Sequence, residues 1–248
     1  RNKMQMPVGG TKGDIQMGFY AMGSHDIVQG TNCPIQDEGN NIIAQACYQI
    51  AKEFDIEPYD EHTGKGVLRH IIGRIGQSGW MIILVTATEQ LPHKEKWVEK
   101  LTERIPQVET IVHNVNGKRT NVILGPKNNI LYGDGTITDH IKDLQFTLSP
   151  HSFFQVNPEQ TTVLYDQALA YADLKGDETV IDAYCGTGTI SLFLAHKAKH
   201  VIGIEIVEPA IINARENAQR NGYDNTEFIV ADAAVEMPKL YKAGVRPD

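Results

Sequence analysis

Two glycines and two acidic residues carry the chemistry that is easiest to identify in this chain. Residues 182–189 read Asp-Ala-Tyr-Cys-Gly-Thr-Gly-Thr, and they lie between a predicted strand and a predicted helix. Because glycine has no Cβ, the backbone at Gly186 and Gly188 can approach a ligand closely. Glu205 ends the next predicted strand, where a carboxylate can accept hydrogen bonds from the hydroxyls of a ribose. This pattern predicts a site for a nucleotide-type cofactor.

The spacing of the loop favours one kind of nucleotide. The dinucleotide-binding fingerprint requires a third glycine, and Ser191 stands at that position. The chain also lacks the Gly-Lys-Ser/Thr phosphate loop, so an adenosine cofactor without a pyrophosphate fits better. We expect Asp182 near the charged amino-acid part of the cofactor and Asp232, after the third strand, at the adenine edge. The alternative is that these are ordinary turns between strands and helices.

The elements around this loop predict a parallel sheet. Asn157 followed by Pro158 is a helix start, with asparagine as the N-cap and proline in the first turn. Strands then alternate with helices over short links, which is typical of βαβ units. The predicted helices cover residues 158–174, 189–198 and 209–221, and the predicted strands cover 179–181, 201–204 and 227–230.

The first part of the chain has a different pattern. Apolar residues at helical spacing predict helices over 38–53 and 93–105, and an apolar run predicts a central strand over 80–85. Asn116-Gly117 between two β-rich runs, 110–112 and 121–124, predicts a tight hairpin. This mixture indicates an α+β region.

Composition excludes some classes of protein. The 248 residues have ordinary hydrophobic and charged contents, and no apolar run is long enough for a membrane span. The three cysteines show no disulfide spacing, which favours a reducing, cytoplasmic location. The net charge of −8 provides no overall basic surface, so any nucleic acid would have to bind a local basic face. No membrane and no obligate protein partner is expected.

The segment Ser149–Pro158, together with the glycine loop, resembles the RNA (uracil-5-)-methyltransferase family, and within it the ribosomal RNA branch. Further segments resemble the same family: Arg1–Lys3, Gly18–Tyr20, Ser24–Val28, Cys33–Ile35 and Leu68–Ile71. The resemblance implies a Rossmann-like α/β core that binds S-adenosylmethionine. We therefore expect an α+β central domain over 1–145 that contacts RNA, followed over 146–248 by an incomplete methyltransferase core.

The resemblance also implies a mechanism. In this family a cysteine thiolate attacks C6 of a flipped-out uracil, C5 accepts the methyl group, and a base removes the C5 proton. The cofactor-binding residues are expected to be Gln155, Tyr184, Gly186, Gly188, Thr189, Glu205 and Asp232. Phe153 is expected to pack against the flipped uracil, although packing in the core is the alternative for one of Phe153 and Phe154.

This sequence departs from the family pattern in its catalytic motif and in its cysteines. The motif that carries the nucleophile and the base is expected beyond Asp248, so no catalytic residue is assigned and the chain alone is not expected to turn over. Cys33 aligns with the last of four cysteines that hold a [4Fe–4S] cluster in many members, and the other three would precede Arg1. A single cysteine does not hold a cluster, so Cys33 alone is expected to be a free thiol.

The expected partner is RNA, with ribosomal RNA favoured over transfer RNA, although the sequence does not decide between the two. Lys3 and Arg69 are the preferred candidates for phosphate contacts, among a wider set of basic residues: Arg1, His70, Arg74, Lys118 and Arg119. Two other functions stay open. One is a methyltransferase that acts on another base or on protein, and the other is a non-catalytic RNA-binding protein. A nicotinamide dehydrogenase is a more distant alternative.

Overall fold

The computed structural model describes all 248 residues as two compact units, Arg1–Ile137 and Thr138–Asp248. The division lies ahead of the boundary expected between residues 145 and 146. The reason is a hairpin whose second strand is bound to the second unit. The backbone amides of Gln145 and Thr147 donate to the side chains of Asn221, at 2.8 Å, and Asn217, at 3.0 Å.

The first unit is built on a seven-stranded sheet with the strand order β3-β2-β1-β4-β5-β6-β7. Neighbouring strands are antiparallel, except that β5 and β6 are parallel and are linked through a helix. The predicted strand over 80–85 is confirmed as β5, in the interior of the sheet. The strands are β1 Lys3–Thr11, β2 Asp14–Tyr20, β3 Ile27–Gln29, β4 Leu68–Ile75, β5 Trp80–Thr86, β6 Val108–Val115 and β7 Lys127–Tyr132.

Two helices pack against this sheet, α1 Glu38–Glu53 and α2 Lys94–Arg104. The Asp37 side chain caps α1 by accepting from the backbone amide of Gly39. Apolar residues at helical spacing on both helices are buried, with α1 against β1, β2 and β4 and α2 against β6 and β7, which confirms the two helices predicted here. Ile42 is the exception on α1, because its side chain is exposed.

The hairpin predicted at Asn116-Gly117 is wrong in its turn and in its second strand. Strand β6 ends at Val115, and its antiparallel partner is β7, which begins only at Lys127. The Asn116 side chain donates to the carbonyls of Val122 and Ile123, at 2.6 and 3.0 Å, so it organises a wide loop. We call residues 116–126 the wide loop.

The second unit contains the predicted parallel sheet, with the order β10-β11-β12. A separate hairpin, β8 Ile137–Ile141 and β9 Leu144–Leu148, precedes it and was not predicted. The sheet strands are β10 Thr179–Asp182, β11 His200–Glu205 and β12 Thr226–Val230, and the helices are α3 Pro158–Ala172, α4 Thr189–Ala195, α5 Glu208–Arg220 and α6 Ala233–Lys242.

Local signals explain most of these helix ends. The Asn157 side chain accepts from the backbone amide of Gln160, and Pro158 opens α3, as predicted. Helix α4 ends three residues earlier than the predicted end at 198. Helix α6, which contains Pro238, was not predicted. None of the helices combines the length and the apolar character needed to cross a bilayer.

Candidate cofactor site

The glycine loop connects β10 to α4, and its two glycines have different surroundings. Both lie in the left-handed region, with φ of +54° at Gly186 and +79° at Gly188. A Cβ at Gly188 would lie 3.1 Å from the Cβ of Ala214 and the Cζ of Phe228, so this glycine permits close packing within the unit. A Cβ at Gly186 would meet no protein atom within 4 Å. The loop therefore leaves open space at Gly186, as a ligand cradle requires.

The carboxylate of Glu205 faces this loop from the end of β11. Its Oε2 accepts from the backbone N–H of Gly186 at 3.3 Å, and its Oε1 accepts from the N–H of Val207 at 3.0 Å. An ionised carboxylate offers about four acceptor positions, so two remain for a ligand. The side chain is only partly buried. Glu205 is thus held in place and still available to hydroxyl groups.

A second carboxylate lies at the start of the loop. Asp182 ends β10, and its Oδ2 accepts from the hydroxyl of Ser191 at 2.6 Å. The pKa of Asp182 is raised above its usual value. Burial is the largest cause, the charge of Glu205 adds to it, and the hydrogen bond from Ser191 opposes it. Ser191, which replaces the third glycine of the dinucleotide fingerprint, therefore has a structural role, because its hydroxyl orients the Asp182 carboxylate. The sequence did not assign that role.

Helix α3 contributes a tyrosine that the sequence analysis did not single out. The Tyr165 hydroxyl lies 3.0 Å from the hydroxyl of Thr189, the first residue of α4, and it also bonds the side chain of Gln155. Tyr165 is 5% exposed, and burial raises its pKa. Two predicted cofactor residues, Gln155 and Thr189, are thus connected through one buried hydroxyl.

The remaining predicted cofactor residues lie on the surface of the second unit. Tyr184 is 81% exposed, beside the glycine loop. Asp232 is exposed after β12, and its Oδ1 caps α6 by accepting from the N–H of Ala234 at 2.8 Å. The cap leaves the second oxygen of Asp232 without a protein partner.

The two phenylalanines before α3 separate as the sequence analysis expected, one into the core and one at the surface. Phe154 is buried and packs against Phe146, with ring centroids 5.6 Å apart. Phe153 is 71% exposed. The turn that presents Phe153 is fixed by Ser152, whose hydroxyl accepts from the N–H of Ser149 at 2.9 Å. Phe153 is therefore the one available to stack on a base.

Neither of the two buried cysteines has the environment of a reactive thiol. Cys47 is fully buried in α1, and burial raises its pKa. Burial and the carboxylates of Asp182 and Glu205 raise the pKa of Cys185 to about 12. Cys33 is partly exposed, and its backbone pairs with the side chain of Asn41. No group of three or more metal-ligating side chains surrounds it.

The structure corrects the expectation that Arg69 contacts phosphate. Arg69 is 3% exposed, and its guanidinium stacks on Tyr59 at 4.3 Å. Its Nη1 donates to the carbonyls of Asn116 and Lys118, at 2.5 and 2.8 Å. Arg69 therefore fixes the wide loop, because a guanidinium matches several carbonyls at once.

Lys3 lies at the start of β1, opposite Arg74 in the register of the sheet, and is partly buried. Burial, followed by the charge of Arg74, lowers the pKa of Lys3 to about 8. It still carries a positive charge at neutral pH. Lys3 therefore stays a candidate for a phosphate contact.

Comparisons with known proteins agree with this description. Residues 174–245 match a family described as a methyltransferase domain. Over its full length the chain is 51% identical to an uncharacterized RNA methyltransferase of Halalkalibacterium halodurans and 50% identical to another of Clostridium acetobutylicum. It covers 55% and 54% of those proteins, so the chain spans about half the length of the curated relatives it matches.

A solved structure is similar over most of the chain. It is the tRNA (uracil-54, C5)-methyltransferase of Pyrococcus abyssi in complex with S-adenosyl-L-homocysteine, with a TM-score of 0.77 and 25% identity. The match covers 93% of this chain and 55% of that one. The predicted fold, a Rossmann-like methyltransferase core preceded by an α+β region, is thereby confirmed.

Proposed function

We propose that this chain supplies the cofactor site and an RNA-binding unit of an S-adenosylmethionine-dependent methyltransferase that acts on C5 of uridine in RNA. The observation that carries the proposal is the carboxylate of Glu205, which is bonded to the N–H of Gly186 beside open space at that glycine. The relatives named as RNA methyltransferases and the structural neighbour that acts on uracil C5 support it.

The residues around the glycine loop fit this cofactor. Glu205 keeps acceptor positions for the two ribose hydroxyls, and Asp182 is a carboxylate near the loop for the charged amino group. Asp232 keeps one oxygen for the amino group of adenine. When bound, S-adenosylmethionine supplies an electrophilic methyl group on a sulfonium.

The other residues of the proposal bind and orient the substrates. Tyr165 holds Gln155 and Thr189 on the cofactor side, while Tyr184 covers the exposed side of the loop. Phe153 offers an exposed ring on which a flipped uracil can stack, a contact worth about 1–3 kcal/mol per base. Lys3 is proposed to contact a phosphate.

The proposed nucleophile for C6 of uracil is none of the three cysteines of this chain. A nucleophilic cysteine needs a thiolate, and burial raises the pKa of both Cys47 and Cys185. Cys33 is assigned by the family resemblance to a cluster-binding position and not to catalysis. The covalent step is therefore proposed to use a residue outside the sequence described here.

The first test is cofactor binding, measured by isothermal titration calorimetry with S-adenosylhomocysteine. Glu205→Gln should weaken binding about tenfold or more, because it replaces charge-assisted hydrogen bonds to the ribose. Glu208→Gln, in the first turn of α5, is the matched control and should bind as the native chain does. No binding by the native chain, or equal binding by Glu205→Gln, would refute the proposed site.

The second test is methyl transfer by the protein extended to the length of its relatives, on RNA that carries tritium at uridine C5. Methylation at C5 replaces that hydrogen, so tritium is released into water in step with methyl incorporation. Methyl incorporation without release would move the activity to another position or base, and no incorporation would favour a non-catalytic RNA-binding protein. Parallel reactions on ribosomal and transfer RNA distinguish the expected ribosomal substrate from the kind on which the structural neighbour acts.

A further inference from the structure

The first unit contains a cavity of about 350 Å³ that the cofactor site does not use. It lies against strands β1, β2 and β4 and the loop between α1 and β4. The Ser24–Val28 segment, which the sequence analysis singled out without a role, forms part of its wall. The lining side chains that matter for its chemistry are Tyr20, His25, Asp26, Asp60, Glu61, Arg69 and His70.

A pair of stacked rings forms one wall of this cavity. The rings of Tyr20 and His25 are 4.8 Å apart and inclined by 16°. Glu61 bonds both of them, with 2.7 Å from its Oε2 to His25 Nδ1 and 3.1 Å from its Oε1 to the Tyr20 hydroxyl. Because His25 and Glu61 stay largely exposed, this arrangement buries little apolar surface and adds little to the core. The hydrogen bonds from Glu61 hold the two stacked rings in place, so the pair presents an ordered aromatic face.

Two buried polar atoms at the inner wall have no hydrogen-bond partner. They are the Nε of Arg69 and the Nδ1 of His70, on consecutive residues of β4 that are 3% and 7% exposed. Burying a polar group without a hydrogen-bond partner is costly, so such groups are uncommon unless something else pairs with them. Both residues line the same cavity.

The charges of the cavity select the kind of ligand. Asp26, Asp60 and Glu61 all line it, and the guanidinium of Arg69 is already bonded to carbonyls of the wide loop. Burial raises the pKa of Glu61, but the bonds from His25 and Tyr20 outweigh burial and leave it below its usual value. Ionised carboxylates repel phosphate and accept from N–H groups, so the ligand should be a flat heterocycle with several N–H donors.

Guanine has the complementary set of groups. Its Watson–Crick edge presents N1–H and N2–H donors, which a carboxylate can accept with its two oxygens, and an O6 acceptor beside them. Each oxygen of Glu61 keeps one free lone pair after bonding His25 or Tyr20. Arg69 Nε–H is a donor without a protein partner, but it is buried, so O6 would reach it only after a side-chain movement at the inner wall. Uracil has one N–H on this edge and adenine has no imino N–H.

We propose that this cavity binds an unstacked guanine of the RNA substrate, with its ring on the outer face of the Tyr20–His25 stack and its N–H edge on Glu61. This inference rests on the proposed function, because it assumes that the first unit meets single-stranded RNA. It adds a recognition site for a second base, separate from the methylated uridine.

The test uses fluorescence anisotropy with 5′-labelled hexaribonucleotides at low ionic strength. One RNA is UUGUUU, and the others carry adenosine or inosine in place of the guanosine. The native chain should bind the guanosine RNA about tenfold more tightly than the adenosine RNA. Inosine, which lacks the N2 amino group, should fall between them. Glu61→Gln should remove the preference, because its amide places a donor against the N–H edge.

Glu103→Gln, an exposed carboxylate on α2, is the matched control and should keep the guanosine preference. Equal binding of all three RNAs by the native chain, no binding of any, or a preference that survives Glu61→Gln would each overturn the inference. Calorimetry with S-adenosylhomocysteine on the same protein separates the two proposals. Glu61→Gln should bind it normally, and failure of the native chain to bind it would count against the proposed function instead.

Discussion

The hydroxyl of Tyr165 lies 3.0 Å from the hydroxyl of Thr189, and this bond joins helix α3 to the first residue of α4. Tyr165 is almost fully buried, whereas Thr189 is partly exposed beside the glycine loop. The same tyrosine bonds the side chain of Gln155. One buried hydroxyl therefore sets the direction of two side chains that the proposed function assigns to cofactor binding.

Tyr165→Phe should weaken S-adenosylhomocysteine binding several-fold while it destabilises the fold by only about 1 kcal/mol, because the ring stays packed and one hydrogen-bonded hydroxyl is lost. Calorimetry and thermal denaturation measure the two effects. Tyr171→Phe, on the same helix and 81% exposed, is the control and should change neither. An unchanged affinity in Tyr165→Phe would show that the hydroxyl serves only the fold.

Alanine at the two loop glycines should separate binding from stability. Gly188→Ala should destabilise the chain by about 2–3 kcal/mol, because its Cβ would press on Ala214 and Phe228 and its φ is positive. Gly186→Ala adds a Cβ that touches no protein atom, so it should cost only about 1 kcal/mol of backbone strain. It should nevertheless abolish most S-adenosylhomocysteine binding, and normal binding would argue against a cradle at Gly186.

Arg69→Lys should destabilise the first unit by about 2–3 kcal/mol, since an ammonium cannot bond the carbonyls of Asn116 and Lys118 in the same planar arrangement. Urea denaturation measures the loss. Lys118→Met, an exposed neighbour on the wide loop, should be close to native. A phosphate-binding role would give the opposite result, with normal stability in Arg69→Lys and a loss confined to RNA affinity.

His70 should make the stability depend on pH. Burial, and then the charge of Arg69, lowers the pKa of His70 from 6.5 to about 4. The unfolded chain therefore takes up this proton first as the pH falls, so stability declines from pH 6.5 to about 4 and this contribution is constant below that. The shift corresponds to about 3 kcal/mol in total. In His70→Asn, the loss of unfolding free energy between pH 7 and 4.5 should shrink by about 2 kcal/mol, and an equal loss in both proteins would contradict the assignment.

Lys3 should make RNA binding sensitive to mild alkali. Burial and Arg74 lower its pKa to about 8, so its charge declines between pH 6.5 and 8.5, before the bases of RNA lose protons. The affinity for a labelled single-stranded RNA should fall a few-fold over that range. Lys3→Arg should keep a nearly constant affinity, because arginine stays charged. The same decline in Lys3→Arg would remove Lys3 from the RNA contacts.

The elements that sequence patterns predicted best are those with strong local signals. Helix α3 begins at its predicted cap, Asn157, whose side chain accepts a backbone amide, and α1 follows the apolar period predicted over 38–53. The three parallel strands follow from short apolar runs between turns. Helix α6 was missed because Pro238 lies inside it, and proline usually ends a helical pattern. The hairpin at Asn116 failed because its side chain bonds distant carbonyls instead of closing a two-residue turn.

The candidate site shows a similar limit. Types and spacing were enough to select the glycine loop and Glu205, but burial is a property of the folded chain. Arg69 was preferred as a phosphate contact on the family resemblance, yet it lies inside the unit. The roles of Tyr165 and Ser191 were missed because each depends on a contact made only when helices and strands pack. Tyr165 then meets Thr189, and Ser191 meets Asp182.

The two backbone amides on Glu205 have a consequence for the kinetics of ligand capture. A free glutamate samples many rotamers, and a ligand that must select one of them loses affinity to the entropy of ordering. In this chain that ordering takes place on folding, since Gly186 and Val207 already hold both oxygens. Association with an adenosine ligand should therefore need no slow rearrangement of this carboxylate, and differences in affinity among adenosine analogues should appear mainly in their dissociation rates.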